Sequence, residues 1–255
     1  MKFEEMINTV QLGNCYELIK NIPDKSIDLV YIDPPYDFMT KHYSFGTTYS
    51  GAGAFGKMNR TYHSELENNN IIKGIDTPKL LKELCRVMKY IYIYIWCNKD
   101  QIYEYMNFFK DYNIELLTWH KTNPIPTCNN KYLSDTEYLL MFKEKGCKIY
   151  GTYETKSKYY ISSINKDDKD KFVHPTIKPL EFVKNHIINS TKENDIVLDC
   201  FCGSGTTCVA CKETGRRFIG MEIDPEYYKI AVDRLNGITA NGQTSIFTDF
   251  DNLGE

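Results

Sequence analysis

The chain has 255 residues, 42% of them hydrophobic, enough to bury roughly three quarters of its unfolded surface in a single core. Its 31 basic and 34 acidic side chains give no global basic signature of a nucleic-acid partner, and no apolar run approaches the roughly 20 residues of a membrane-spanning helix. The opening "MKFEEMINTV" has neither the basic start nor the apolar core of a secretory signal, so a cytoplasmic protein is expected, with its nine cysteines as reduced, buried thiols.

"TVQLGN" (9–14) reads as a strand, "CYELIKNI" (15–22) as a short helix and "SIDLVYI" (26–32) as a buried parallel strand. That strand halts at Asp33 because Pro34 and Pro35 have no N–H to give to a ladder. An acid therefore lands at a strand's carboxyl end, where open α/β sheets place their ligands. Residues 37–76, including "SFGTTYSGAGAFGKMNRTY", are glycine-rich and unpatterned, and a loop of that length is expected to serve function. "TPKLLKELCRVMK" predicts a helix starting after Thr77 with Pro78 in its first turn, and "YIYIYIW" (90–96) a strand.

"IELLTWH" (114–120) and "TEYLLMF" (136–142) predict two more strands, followed by an irregular, lysine- and tyrosine-rich stretch. From Lys121 to Lys178 there are eleven lysines against seven acids, a local surplus inside residues 120–173, the best candidate for an inserted recognition region. The α/β pattern then resumes. "PLEFVKNHIINST" predicts a helix following Pro179, "DIVLDCF" a strand, "TTCVACKET" a helix closed near Gly215, "RRFIGMEI" a strand and "PEYYKIAVDRLNG" a helix closed by Gly237. Strands alternating with helices predict one domain, 1–255, built on a mostly parallel, doubly wound sheet.

"DIVLDCFCGSGTT" is the second stretch with chemical character. A strand ending at Asp199, then Gly203 and Gly205, then a helix beginning near Thr206 lets backbone approach a ligand and aims helix N–H groups at an anion. The dinucleotide fingerprint has a third glycine where this chain has Cys208, so the turn is specific for no single cofactor. Glu222, seventeen residues past Gly205 at the end of the next strand, is placed to hold two ribose hydroxyls. Alone, this pattern fits a nucleoside site or an ordinary tight turn. Cys200, Cys202, Cys208 and Cys211 have zinc-like spacings, but the glycines among them belong to that turn, and no metal is assigned.

Together, "DPPY" (33–36) and "DCFCGSGTT" resemble the amino-methyltransferases that methylate exocyclic amino groups of DNA bases with S-adenosylmethionine. Their order, with "WHKTNPIP", "SDTEYLLMF" and "HPTIKP" (174–179) between them, is similar to the β-class of that family. The resemblance implies a Rossmann-like class I methyltransferase fold with a mostly parallel, seven-stranded sheet in circularly permuted order, containing one antiparallel strand. It implies that Asp33, Pro34, Pro35 and Tyr36 form the catalytic tetrapeptide. Asp199, Phe201, Gly203, Gly205 and Thr206 would line the cofactor, Glu222 would hold its ribose, Ile223 would pack on its adenine, and Thr176 and Lys178 would lie near its methionine carboxylate. Asp rather than Ser at position 33 favours N6 of adenine over N4 of cytosine. Methyltransferases acting on RNA or protein amides are the nearest alternatives.

In such an enzyme the partner is double-stranded DNA, contacted through Lys121, Asn123, Lys131, Lys156 and Lys158, with Lys131, Lys156 and Lys158 on phosphates rather than bases. The loop 37–76 would close over that DNA. A homodimer and a cognate restriction endonuclease are partners that the resemblance allows.

Overall fold

A computed structural model describes residues 2–35, 75–124, 132–164 and 178–238 of the chain. Tyr36, nearly all of the loop 37–76, Lys131 and Thr176 lie outside the described residues. The described chain runs α1 (Phe3–Met6), β1 (Thr9–Leu12), α2 (Cys15–Leu18), β2 (Leu29–Ile32), α3 (Thr77–Val87), β3 (Tyr92–Cys97), α4 (Ile102–Phe108), β4 (Asn113–Lys121), β5 (Thr136–Lys143), β6 (Tyr159–Ser162), α5 (Leu180–Ser190), β7 (Ile196–Asp199), α6 (Thr206–Glu213), β8 (Arg217–Glu222) and α7 (Pro225–Leu235).

The strands form one sheet in the order β1-β8-β7-β2-β3-β5-β4-β6. Only β5 runs against its neighbours, pairing antiparallel with both β3 and β4. The permuted order is visible at one end: β1 lies parallel to β8, with Thr9 opposite Ile219 and Leu12 opposite Glu222.

The sheet has eight strands among the described residues, a correction to the expected seven. The extra one, β6, comes from the stretch read as irregular. It is short and lies at the sheet edge, where Tyr159 and Ile161 remain exposed, so it carries no continuous apolar signature. Helix α4 was likewise unforeseen, because only Tyr105 of its seven residues is buried and the apolar stripe is too thin to announce it.

Strict alternation along the strands splits the core in two. Val30, Ile32, Ile93 and Ile95 point to the face covered by α1 to α4, while Leu29, Tyr31, Tyr92, Tyr94 and Trp96 point to the face covered by α5, α6 and α7. Both faces are buried, as a parallel sheet requires. Helix α3 begins one residue earlier than expected: Asp76 caps it by accepting from the Lys79 N–H at 3.1 Å, and Leu80, Leu81, Leu84 and Val87 form its buried face. None of the described helices is long and apolar enough to cross a membrane.

Candidate active site

Strands β2 and β7 are parallel neighbours, with Leu29 opposite Val197, so Asp33 and Asp199 emerge side by side at the carboxyl edge. Alternation turns both toward the α5–α7 face, since Tyr31 and Val197, two residues before them, belong to that face's core. After Asp33 the chain leaves the sheet through Pro34, which is buried, and Pro35, which is half-buried.

The β7 end is built from its own continuation. Asp199 accepts from the Phe201 N–H at 3.0 Å; burial pushes its carboxyl up to about 7, against the hydrogen bonds from Thr207 and Phe201. Gly203 and Gly205 take φ of 50° and 79°, backbone that side chains rarely adopt. A Cβ on Gly205 would also stand 3.1 Å from the Ala231 Cβ of α7. Glu222, buried at the end of β8, closes the turn from the other side: its carboxylate accepts from the Gly203 N–H at 2.8 Å and from the Ile223 and Asp224 N–H groups, each at 2.9 Å. Burial raises its proton affinity while those bonds oppose it.

Not every expected side chain faces this hollow in the same way. Thr206 turns its hydroxyl to Arg234, which donates to it at 2.8 Å and to the Ser204 carbonyl at 3.3 Å, tying α7 to the turn. Phe201 is half-buried and Ile223 is 63% exposed, open to a stacking partner. Cys200, Cys202, Cys208 and Cys211 are buried and unbridged. They explain Gly220, where a Cβ would meet the Cys208 Sγ at 2.8 Å. The Asn14 side chain caps α2 by accepting from the Tyr16 N–H at 2.9 Å.

Lys178, expected near the methionine carboxylate of the cofactor, is buried against the β2 end. Its ammonium lies 2.6 Å from Asp33 Oδ2, 3.0 Å from Glu137 Oε2 and 4.8 Å from the centre of the Trp96 ring. Burial alone would lower the proton affinity of Lys178, but the two carboxylates reverse that and raise it. On the far side of Glu137, Lys121 pairs with Oε1 at 2.5 Å. Burial would push the Glu137 carboxyl up, but Lys178 and Lys121 overcome it and hold it at about 2. Glu137 was not singled out from the sequence. As the second residue of Thr136–Lys143 and one of seven acids between Lys121 and Lys178, it carries no distinguishing signal in the sequence.

The remaining candidate contacts are dispersed. Lys156 is exposed, Lys158 pairs with Glu115, and Asn123 accepts from the Ile164 N–H at 2.6 Å, which fastens the end of β4 to the residues after β6. Trp119 is a core residue, donating from its indole to Ser162 Oγ at 2.9 Å.

The family model described as DNA methylase, of the N6 and N4 amino type, matches residues 27–233. This chain belongs to that family. The methylase is 28% identical over 267 residues to the Type II methyltransferase M.HinfI of Haemophilus influenzae, covering 93% of this chain and 70% of that one. It is 30% identical to M2.LlaDCHI of Lactococcus lactis subsp. cremoris, covering 88% of this chain and 87% of the relative. Among solved structures, the M1.HpyAVI–SAM complex superposes with a TM-score of 0.60 at 25% identity, over 89% of the methylase and 99% of that chain. The cytosine-N4-specific PvuII DNA methyltransferase gives 0.65 at 16% identity, covering 88% and 85%, a likeness of fold.

The methylase is thus a DNA amino-methyltransferase with S-adenosylmethionine as its cofactor. The residues present suit that group. Two glycines leave the turn after β7 without side-chain bulk, and buried carboxylates end the flanking strands, ready for the hydroxyl and amino groups of an adenosyl compound.

Proposed function

We propose that the methylase methylates N6 of adenine in duplex DNA, with the target base flipped out of the helix into the space between Asp33 and the glycine turn. The observation that carries this reading is the placement of Asp33, an acid rather than a serine, beside Asp199 on neighbouring strands at one sheet edge. An adenine amino group is a poor nucleophile because its lone pair is delocalised into the ring. Acceptors that hold both amino hydrogens turn the lone pair out of the ring plane.

In this reading Asp33 supplies one acceptor and the Pro34 carbonyl the other. Pro34 is buried and its ring fixes φ, so that carbonyl is held without a competing N–H. Tyr36 stacks on the base. The bound cofactor supplies an electrophilic methyl on a sulfonium. Asp199, Phe201, Gly203, Gly205, Thr206, Glu222 and Ile223, with Thr176, hold that donor in line with the amine, so alignment carries much of the rate. No covalent protein intermediate is required.

Flipping is needed because the amino group is engaged in pairing within the duplex. Residues 120–173 then read the target site within the single domain, with Lys156 and Lys158 on phosphates and the loop 37–76 facing DNA. A cognate restriction endonuclease as partner, a homodimer and a cytoplasmic location belong to the same reading, and size-exclusion chromatography tests the dimer.

Modification-sensitive long-read sequencing of DNA from cells expressing the protein tests the reading. N6-methyladenine at one short recurrent sequence is the expected result. N4-methylcytosine there would replace adenine by cytosine as the target, and unmodified DNA alongside methylated RNA or protein would end the DNA reading.

A further inference from the structure

The charged chain behind Asp33 is assembled from four separate parts of the sequence. Asp33 directly follows β2, Lys178 lies two residues before α5, Glu137 is the second residue of β5, and Lys121 is the last residue of β4. The reversal of β5 explains how they meet. Because that strand runs opposite to β3, its beginning lies where β3 ends: Tyr138 is opposite Cys97, and Glu137 is one step further out, opposite Trp119. Alternation does the rest. Trp96, Leu139 and Trp119 belong to the α5–α7 face, and Glu137 and Lys121, two residues from Leu139 and Trp119, share it.

Two carboxylates thus share one buried ammonium. Desolvated charges are stable only when each is matched, and removing a single member leaves its partner uncompensated. Lys178 could lean wholly on Asp33. Glu137 takes part of that attraction, and Lys121 balances Glu137, so the four formal charges sum to zero. On Asp33, Oδ2 is committed to Lys178. In the proposed reading Oδ1 is the oxygen that accepts from a substrate amine.

We propose that Glu137 is a positioning residue for methyl transfer: through Lys178 it fixes the orientation of the Asp33 carboxylate, so that one oxygen meets the ammonium and the other meets the target amine. This rests on the reading of Asp33 as the amine acceptor. Without Glu137, the ammonium settles fully on Asp33 and competes with the amine for the same carboxylate, and a shift of even an ångström in a reacting group costs up to about 100-fold in rate.

The test compares Glu137→Gln with the parent in single-turnover transfer of tritiated methyl to unmodified genomic DNA, together with the Kd for S-adenosylmethionine by calorimetry. We expect Glu137→Gln to lose about 10-fold to 100-fold in single-turnover rate at saturating cofactor, with the Kd changed less than about 2-fold. The double variant Glu137→Gln with Lys178→Met removes one charge of each sign, so the charges of the four groups still sum to zero, and it provides a second measurement if the single variant fails to fold. Its loss should be no greater than that of Lys178→Met alone, because Glu137 acts through Lys178.

An unchanged rate in Glu137→Gln, additive losses in the double variant, or losses confined to cofactor Kd would each overturn the proposal. Asp33→Ala, assayed in parallel, separates the two ideas. If it transfers methyl normally, the acceptor reading falls and this inference with it. If it is inactive while Glu137→Gln is unimpaired, only the role of Glu137 falls.

Discussion

Asp33 and Asp199 end neighbouring strands on the same face of one sheet, yet their surroundings are built by opposite means. Around Asp199 everything is local: Phe201 and Thr207 bond to it, and Gly203 and Gly205 bend the chain within six residues of it. Around Asp33 almost nothing is local. Its proline-locked exit is followed by partners drawn from far down the chain, with Lys178 and Glu137 arriving from α5 and β5. The difference suits the two tasks. A carboxylate that would accept from a neutral amine is best oriented by a fixed cation. A carboxyl whose partner is supplied by a ligand can stand desolvated until the ligand comes, and burial leaves Asp199 near neutral pH in its proton affinity.

The sharpest break of this contrast is Asp33→Ala. Transfer of tritiated methyl to duplex DNA should fall by about 10² to 10³ or more, the usual cost of deleting a positioned acceptor, while cofactor still binds by calorimetry. Loss of cofactor binding instead would show that the two strand ends are not separate in function.

Gly205→Ala strikes the other end. With φ at 79° and Ala231 Cβ 3.1 Å from the added methyl, it should destabilise the fold by about 2 kcal/mol and weaken cofactor binding, read by thermal melts with and without S-adenosylmethionine. A wild-type melting curve would mean that the turn has room to relax.

Asp199→Asn sharpens the electrostatic half. Asp199 is pushed from 3.8 to about 7 by burial, so between those values the folded chain keeps a proton that the unfolded chain has released. Its stabilising contribution is complete below the lower value and is lost as pH rises through the higher one. The free-energy difference between Asn variant and parent in urea unfolding should therefore grow in the variant's favour as pH rises across that window, by at most about 1.4 kcal/mol per pH unit. A pH-independent difference would place Asp199 in water.

The smallest effect belongs to the recognition region. Lys156 is exposed, so Lys156→Ala should weaken binding to all DNA sequences alike and lower the salt dependence by about one counterion. Altered sequence preference would make it a base contact.

The same contrast explains what could be read from residue order. The turn after β7 is contiguous, so "DCFCGSGTT" displays its strand, glycines and helix start in one line, and Glu222 follows at the spacing of one helix and one strand. The tetrapeptide is legible for the same reason, since prolines mark where a strand must end. Glu137 is silent. It is one acid among the seven between Lys121 and Lys178, and only the antiparallel pairing of β5 with β3 brings it to the active edge. For Lys178 the family resemblance implies a place near the cofactor, while its burial beside Trp96 depends on how α5 packs and is not written in the residue order. Strand β6 was missed because an edge strand with one wet face has little apolar run to show.

The reversed course of β5 also limits how this protein can be altered. The ladder pairs Asn113–His120 with Thr136–Lys143, so a change confined to the connection between β4 and β5 leaves its paired residues in place. Deleting a single residue within β5 is a different matter: the pleat would invert, Glu137 would turn toward the opposite helices, and the Lys178 ammonium would lose one of its two carboxylates.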